Sequence, residues 1–286
     1  MKLAYIDIGE LGYSLYLSAH IKWLLSQGRP AALVMTYPDR KCLYEDWVEK
    51  VVDVPSEFYK DFDIREQKCF KIGNVGGKEL RAYFNEKLPE GYCVSGDMDF
   101  DMWGYHRVYA REKLFVSYPH KKELIGKKEI LVIPRCRPNF KPYNLRNLPR
   151  VFYIRLIEAL CSAFEDCIIR AVGTRAGAYN LIEIKKNNYV NSVGSAPNLQ
   201  TTIDRCQITI GAVGVYTTIL LLAMMQGVPT FGIGHEEQRF EDENWLKTKF
   251  NFHKIGEKEY NEFKNERAIA NAISFFKEAR EENVSR

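Results

Sequence analysis

The chain has 286 residues and a formal net charge of +4, with 46% hydrophobic and 27% charged residues. This balance is typical of an ordinary globular protein, and the mild positive charge falls well short of a nucleic-acid-binding surface. Seven cysteines are scattered without a CxxC pair or accompanying histidines. Their distribution favours reduced thiols over disulfides or a zinc site.

The start of the chain and its most apolar run bear on localisation. Met1 leads directly into KLAYIDIG, which lacks the basic and apolar segments of a secretion signal. The longest apolar run, residues 217–234, is interrupted by Gly227 and Pro229 and is not expected to span a membrane. We therefore expect a cytoplasmic protein with at most peripheral membrane association.

The N-terminal region has the pattern of alternating strands and helices. An apolar run over 3–9 predicts a strand, 10–28 predicts a helix stopped by glycine, and 30–38 predicts a second strand. An acidic helix over 43–50 and a third strand over 50–55 are expected next. A strand-helix-strand unit of this kind forms a parallel sheet with a right-handed crossover.

From residue 127 onward the alternation is uninterrupted. It predicts a second parallel, doubly wound sheet. The predicted strands cover 127–135, 166–173, 188–194 and 207–210, and the predicted helices cover 150–164, 178–187, 198–206 and 217–227; a further strand is predicted after Gly227 and Pro229, ending at Gly234.

The stretch GAVGVYTT, residues 211–218, is predicted as a turn between the strand 207–210 and an apolar helix. A turn that only reversed the chain could carry polar side chains, whereas most side chains of this one are small or apolar. We interpret these side chains as leaving a diphosphate access to backbone N–H groups and to a helix N-terminus.

These elements together predict the fold class and the domain boundaries. We expect an α/β protein with two Rossmann-like doubly wound domains facing a central cleft, at 1–125 and 126–262. An amphipathic helix is expected at 263–286. Open α/β sheets bind ligands beyond the carboxyl ends of their strands. Four apolar residues share one face of the last helix: Ala268, Ile269, Ile273 and Phe276.

Four basic residues lie at or just beyond the end of the predicted strand 127–135. Guanidinium and ammonium groups in this position suit a pyrophosphate. The alternative is a solvated basic surface, which is the usual role of a run of charges. The residues are Arg135, Arg137, Lys141 and Arg146.

Three later strand ends combine glycines with hydroxyl side chains. Glycine allows a ligand close to the backbone, and the N-terminus of a following helix favours an anion. The alternative is that tight turns in α/β folds need glycine for steric reasons alone. The candidate binding residues are Gly173 and Thr174, then Gly194 and Ser195, then Gly214, Thr217 and Thr218.

The C-terminal half resembles the nucleotide-sugar-binding domain of GT-B glycosyltransferases, most closely the heptosyltransferase type. The similarity lies in ILVIPR…FKPYNLRNLPRVFYIRLIEAL, in CIIRAVG and in LQTTIDRCQITIGAVGVYTTILLLAMMQGVPTFGIG, roughly residues 127–234. The resemblance implies that Lys141 and Arg146 face the phosphates. It also implies that Glu236 or Glu237 binds ribose or donor-sugar hydroxyls, although a surface acid is an equal alternative.

The chain departs from this family at two places. The family's turn carries Ser or Asp before the Gly and a His shortly after it, where this chain has Ala212, Val213 and Tyr216. Tyr13 stands where the family has the Asp that acts as general base. Only backbone amides and two threonines therefore remain in the turn to meet phosphates.

Because the family's Asp is absent, the general base is unassigned, and Glu10 and Asp99 are the two candidates for it. Glu10 lies in the turn after the first strand and could take a proton from an acceptor hydroxyl, with Asp7 as the other carboxylate nearby. The alternative for Glu10 is a helix N-terminal carboxylate that interacts with the dipole.

Asp99 is the second candidate base, within SGDMDFDMWGYH. Asp97, Asp99 and Asp101 alternate, so they share one face of a strand or, in a loop, could bind a divalent cation. A solvated strand face is the third possibility. We favour an acceptor-side base, with Asp97 or His106 as alternatives to Asp99, over a metal site.

The resemblance implies a hexosyl- or heptosyltransferase that moves a sugar from a nucleotide-sugar donor to a hydroxyl acceptor such as a glycan. No metal or other cofactor and no nucleic acid is expected. The alternatives are a nucleotide-sugar hydrolase or epimerase of the same fold, or a non-catalytic sugar-nucleotide-binding protein.

Overall fold

A computed structural model describes residues 2–8, 11–29, 32–56, 78–95, 128–136, 147–175, 177–194, 199–206, 208–235, 249–256 and 265–284. The chain forms two compact units, each built on its own parallel β-sheet. Six of the seven cysteines lie in the described ranges, and none of these six forms a disulfide.

The N-terminal unit contains a four-stranded sheet. Its elements are β1 (Lys2–Asp7), α1 (Leu11–Ser26), β2 (Leu33–Thr36), a 3₁₀ helix (Pro38–Leu43), β3 (Lys50–Asp53), α2 (Lys78–Lys87) and β4 (Tyr92–Val94). The strand order is β3-β2-β1-β4, and all pairs are parallel. β2 is buried at all four positions, as expected of a strand inside a parallel sheet. The predicted strand-helix-strand unit is confirmed.

The predicted helix over 43–50 is wrong. The structure has a 3₁₀ helix that starts at Pro38, and turns follow it. Arg40 and Leu43 are both buried and lie three residues apart, which is the repeat of a 3₁₀ helix. The hydroxyl of Tyr44 donates to Asp7 Oδ2 at 2.9 Å. These tertiary contacts outweigh the local preference for an α-helix.

The C-terminal unit contains a six-stranded sheet. Its elements are β5 (Lys128–Ile133), α3 (Arg150–Ala163), β6 (Cys167–Gly173), β7 (Tyr189–Val193), α4 (Leu199–Cys206), β8 (Thr209–Gly214), α5 (Thr218–Met225), β9 (Thr230–Gly234), β10 (Phe250–Lys254) and α6 (Glu266–Val284). The order is β10-β9-β8-β5-β6-β7, with parallel pairing throughout. Counted from β5, this is the order 3-2-1-4-5-6 of the Rossmann fold.

Helices cover both faces of this sheet. On one face, Ile130 and Ile169 belong to a core with α3 and α6. On the other, Leu131 and Val172 pack with α5 and with Cys206 at the end of α4. The predicted amphipathic helix is confirmed as α6, whose four predicted apolar residues all join the first core. Among the described helices, none is both long and apolar enough to cross a membrane.

The predicted helix over 178–187 is also wrong, because this segment forms turns between β6 and β7. Its start is bound to the chain after β5: Tyr179 N donates to Pro134 O at 2.7 Å, and Ala178 forms an antiparallel bridge with Arg135. Leu181 and Ile184 are then buried in the core. These backbone bonds between segments replace the bonds of a helix.

Half of the predicted turn GAVGVYTT is strand. β8 runs through Gly214, so the turn is limited to residues 215–217. A Cβ on Gly214 would lie 3.0 Å from the carbonyl oxygen of Ile133. The small side chains of this stretch are therefore explained in part by packing inside the sheet and not by access for a ligand.

Candidate functional site

The order of the six-stranded sheet reverses between β5 and β8, where successive strands lie on opposite sides of β5. Ile133, the last residue of β5, is paired with Gly214, the last residue of β8. In open α/β sheets, ligands bind beyond the carboxyl ends of the strands at this kind of reversal. The candidate site is therefore the carboxyl edge around these two residues, within the C-terminal unit.

Arg135 lies two residues beyond β5 at this edge and is 6% exposed. Its backbone is held on both sides: Arg135 N donates to Ile133 O at 2.9 Å, and Cys136 N donates to Gly177 O at 2.9 Å. A guanidinium taken out of water on a fixed backbone is a strong partner for a phosphate or carboxylate. Of the four predicted basic residues, this is the one in the described part of the chain.

The ends of β6 and β7 contribute Gly173, Thr174 and Gly194. Gly194 N donates to Gly173 O at 2.8 Å, which joins the two strand ends. Gly173 has φ 157°, and a Cβ there would lie 2.5 Å from Cβ of Ala178; Gly194 has φ 74°. Both glycines are thus required by the packing and conformation of the loop itself, which supports the steric alternative, while Thr174 is exposed.

The turn from β8 to α5 places a helix N-terminus at the same carboxyl edge of the sheet that Arg135 follows. Thr217 is the N-cap, and its hydroxyl accepts from Leu220 N at 3.3 Å. The first backbone bond of the helix runs from Leu221 N to Thr217 O, at 2.9 Å. The N–H groups of Thr218 and Ile219 precede that bond and lie at the positive end of the helix dipole. An anion at this position would meet backbone donors, and the neighbouring strand β5 is followed by Arg135.

His235 is a functional candidate that the sequence interpretation missed. It directly follows Gly234, the end of β9, and its side chain is half-buried. A histidine immediately after a glycine-terminated strand, GIGH, was the available signal. Such a residue lies at the carboxyl edge of the sheet if the strand is parallel.

Asp7, the carboxylate near the first predicted turn, is fully buried at the end of β1. Oδ1 accepts from Ser14 Oγ at 2.8 Å, while Oδ2 accepts from Thr36 Oγ1 at 2.8 Å and from the Tyr44 hydroxyl at 2.9 Å. Arg40 Nη1 lies 3.6 Å from Oδ1. Because Asp7 is fully buried and bonded through both oxygens, it stabilises the N-terminal unit and is out of reach of an incoming hydroxyl.

The remaining predicted site residues lie outside the described residues. They include both candidate bases, three of the four basic residues, one hydroxyl and the acid after β9. In the ranges that are described, no group of three or more His, Cys, Asp or Glu side chains could hold a metal ion. The residues outside are Glu10, Asp99, Arg137, Lys141, Arg146, Ser195 and Glu236.

Solved structures share this architecture over nearly the whole chain. ADP-heptose LPS heptosyltransferase II of E. coli aligns with a TM-score of 0.58 and 11% identity, over 98% of this chain and 100% of that one. The fold is that of the GT-B glycosyltransferases. A family 9 glycosyl transferase from Veillonella parvula aligns with a TM-score of 0.55 and 10% identity, over 99% and 96% of the two chains.

A third neighbour was solved with a nucleotide. E. coli heptosyltransferase WaaC with ADP aligns with a TM-score of 0.50 and 14% identity, over 99% of this chain and 100% of that one. No protein-family model and no curated protein sequence matches the chain. At 10–14% identity the GT-B likeness establishes the fold, and site chemistry has to be argued from this chain's own residues.

Proposed function

We propose that the protein is a glycosyltransferase that moves a sugar from a nucleotide-sugar donor to a hydroxyl acceptor. One observation carries the proposal. The buried Arg135 and the N-terminus of α5 follow the two neighbouring strands, β5 and β8, between which the strand order of a Rossmann sheet reverses. This combination of a fixed cation and backbone donors suits a diphosphate, and the GT-B fold is consistent with it.

The proposed chemistry uses those groups as the sugar leaves. When the bond between the anomeric carbon and the diphosphate oxygen breaks, negative charge develops on the diphosphate. Donors that are already oriented stabilise that charge without reorganisation. Arg137, Lys141 and Arg146 are proposed to add charge from the loop after β5, and Glu236 is proposed to bind donor hydroxyls. In this proposal the positive groups of the protein do the work that a metal ion does in other transferases.

Glu10 and Asp99 are the proposed general bases. Either carboxylate would take the proton of the acceptor hydroxyl as its oxygen attacks the anomeric carbon. Substitution with the isosteric amide removes the base and retains the shape. We expect Glu10→Gln or Asp99→Asn to abolish sugar transfer while nucleotide binding is retained, and two fully active variants would refute both assignments.

The donor site is tested by ligand-induced stabilisation. We propose to measure melting temperatures with ADP, UDP, GDP, CMP and their sugars, starting with ADP because WaaC was solved with it. A ligand at 100 times its Kd stabilises by about 2.7 kcal/mol, which gives a readily measured shift. If none of these nucleotides raises the melting temperature, the donor site does not exist.

Arg135→Gln is the decisive variant for this site. It removes the buried cation, so we expect its affinity for the best nucleoside diphosphate to fall about tenfold or more, in line with about 1.5–3 kcal/mol for a charged hydrogen bond. Arg155→Gln is the matched control, because Arg155 is exposed on α3 of the same unit. Equal affinities of wild type and Arg135→Gln would contradict the proposal.

Release of nucleotide from a nucleotide sugar distinguishes transfer from hydrolysis. Release that depends on an added glycan or other hydroxyl acceptor indicates a transferase. Release at the same rate without any acceptor indicates a hydrolase and would overturn the transferase assignment.

A further inference from the structure

The turn between β8 and α5 lies between two neighbouring strands, β5 and β9. Gly214 is paired with Ile133 of β5 on one side and with Gly232 of β9 on the other. β5 and β8 end at this level, at Ile133 and Gly214, while β9 continues for two more residues to Gly234. The segments after β5 and β9 therefore flank the same turn.

Each flanking segment contributes a basic side chain. Arg135 follows β5, and His235 follows β9 directly after Gly234. The two segments are separated by two strand spacings, about 9–10 Å. The two strands that flank β8 are thus each followed by a side chain that can donate hydrogen bonds.

The backbone that carries His235 is anchored. Gly234 is paired with Lys254 of β10, and Ile255 N donates to Gly234 O at 2.9 Å. Gly234 has φ 145°, and a Cβ built there would meet no atom within 4 Å. The end of β9 is therefore hydrogen-bonded to the neighbouring strand β10, while the space beside Gly234, which precedes the histidine, is open.

The turn itself has little side-chain chemistry to offer. Tyr216 and Thr217 are its polar residues, and the Thr217 oxygen already accepts from Leu220 N. Backbone N–H groups can hold one phosphate group. A second phosphate group needs donors from outside the turn, and the segments after β5 and β9 are the two nearest in the sheet.

We propose that His235 is a donor-binding residue that hydrogen-bonds the terminal phosphate group of the nucleoside diphosphate, the group that bears the sugar. This inference rests on the proposed donor site. The α5 N-terminus, which follows β8, binds the diphosphate between Arg135 on the β5 side and the imidazole on the β9 side. The contact therefore discriminates diphosphates from monophosphates.

The test compares ADP with AMP by isothermal titration calorimetry, and repeats the comparison with UDP and UMP and with GDP and GMP. For the pair that wild type binds, His235→Ala is expected to weaken the diphosphate about tenfold and the monophosphate less than twofold. His235→Gln retains a hydrogen-bond donor and is expected to recover part of the loss. It also serves if the alanine variant is poorly folded.

His253→Gln is the matched control, because His253 is a half-buried histidine on β10 of the same unit and bonds Asn271 of α6. Its diphosphate affinity is expected to equal that of wild type. If His235→Ala weakens both nucleotides equally, or neither, the inference is overturned while the donor site stands. If wild type binds none of the pairs, the donor site and this inference fall together.

Discussion

Gly211 of β8 lies directly beneath the ring of Phe276 of α6. A Cβ at Gly211 would be 2.4 Å from Cε1 and 2.5 Å from Cδ1 of that ring, which is far inside van der Waals contact. Phe276 is 1% exposed and belongs to the core that joins α6 to the sheet. The glycine is therefore needed for the helix to pack closely on the strand.

Gly211→Ala should accordingly destabilise the protein. Overpacking of a core by one methyl group costs about 1–3 kcal/mol, and the loss is measured by urea unfolding. Phe276→Leu offers space for the methyl group, so the double variant should lose less than the sum of the two single variants. Simple additivity would show that the two residues do not compete for this space.

Tyr44 should make the folded protein sensitive to alkali. Burial in the first place, and then Asp7, raise the pKa of Tyr44 well above its ordinary value of 10.0. The folded state keeps the phenol proton where the unfolded state loses it. This contribution to stability is fully present below pH 10 and is lost as the pH rises further.

Tyr44→Phe removes this titration together with the hydrogen bond to Asp7. At pH 7 we expect a loss of about 1–3 kcal/mol in the free energy of unfolding. Above pH 10 the difference between wild type and variant should shrink. Urea unfolding at pH 7 to 11 measures it, and a constant difference over that range would contradict the assignment.

Lys22 should be a destabilising residue at neutral pH. Its side chain is buried in α1, its Nζ lies 4.6 Å from the ring centroid of Trp47, and burial lowers its pKa to about 8 while Asp46 opposes the shift. Below pH 8 the folded protein holds an ammonium group that water would solvate better. Between pH 8 and 10.5 the unfolded state binds more protons, so this group makes stability rise with pH.

Lys22→Met keeps the length of the side chain and removes the charge. At pH 7 we expect a gain on the order of 1–2 kcal/mol, since the relieved burial cost exceeds the lost cation–π contact. At pH 10.5 the gain should largely disappear. Lys50→Met, at an exposed position of β3, is the control, and a gain of the same size there would refute the explanation.

Thr217 should contribute to stability as the N-cap of α5. Its hydroxyl accepts from Leu220 N at 3.3 Å, and loss of such a cap costs about 1 kcal/mol. We expect Thr217→Ala to lower the melting temperature by about 2 °C, while Thr217→Ser stays close to wild type because it retains the hydroxyl. Thermal unfolding of the unliganded protein distinguishes this structural role from any effect on nucleotide binding.

Many of the regular elements and the presence of two parallel sheets were accessible from sequence, whereas α2, β4 and β10 were not predicted. The apolar runs that became β1, β2, β5 and β6 are local signals, and they alternate with helical periodicity in both halves. The position of Arg135 after β5 could be predicted in the same way, because the end of a buried strand is visible as the end of its apolar run. Parallel sheets then require that such ends lie on one edge.

The two helices that were predicted incorrectly failed to form for the same reason. Residues 43–50 and 178–187 have local preferences for helix, but their backbone and side chains are bound by distant segments: Tyr44 by Asp7, and Tyr179 by Pro134. The charge of Arg170 inside the apolar strand β6 also depends on a residue far away in the chain. Its Nη2 lies 2.6 Å from Oε1 of Glu129 in β5, so this charge is paired only in the folded sheet.

The sequence by itself determined the class of fold and the strand ends that could form a site, because hydrophobic periodicity and glycine punctuation depend on near neighbours along the chain. Only the tertiary structure decided the length of β8, the burial of Arg135 and the position of His235 after a strand that neighbours β8. Those features depend on strand register and on packing between residues such as Gly211 and Phe276, which lie far apart in the chain and meet only in the folded sheet.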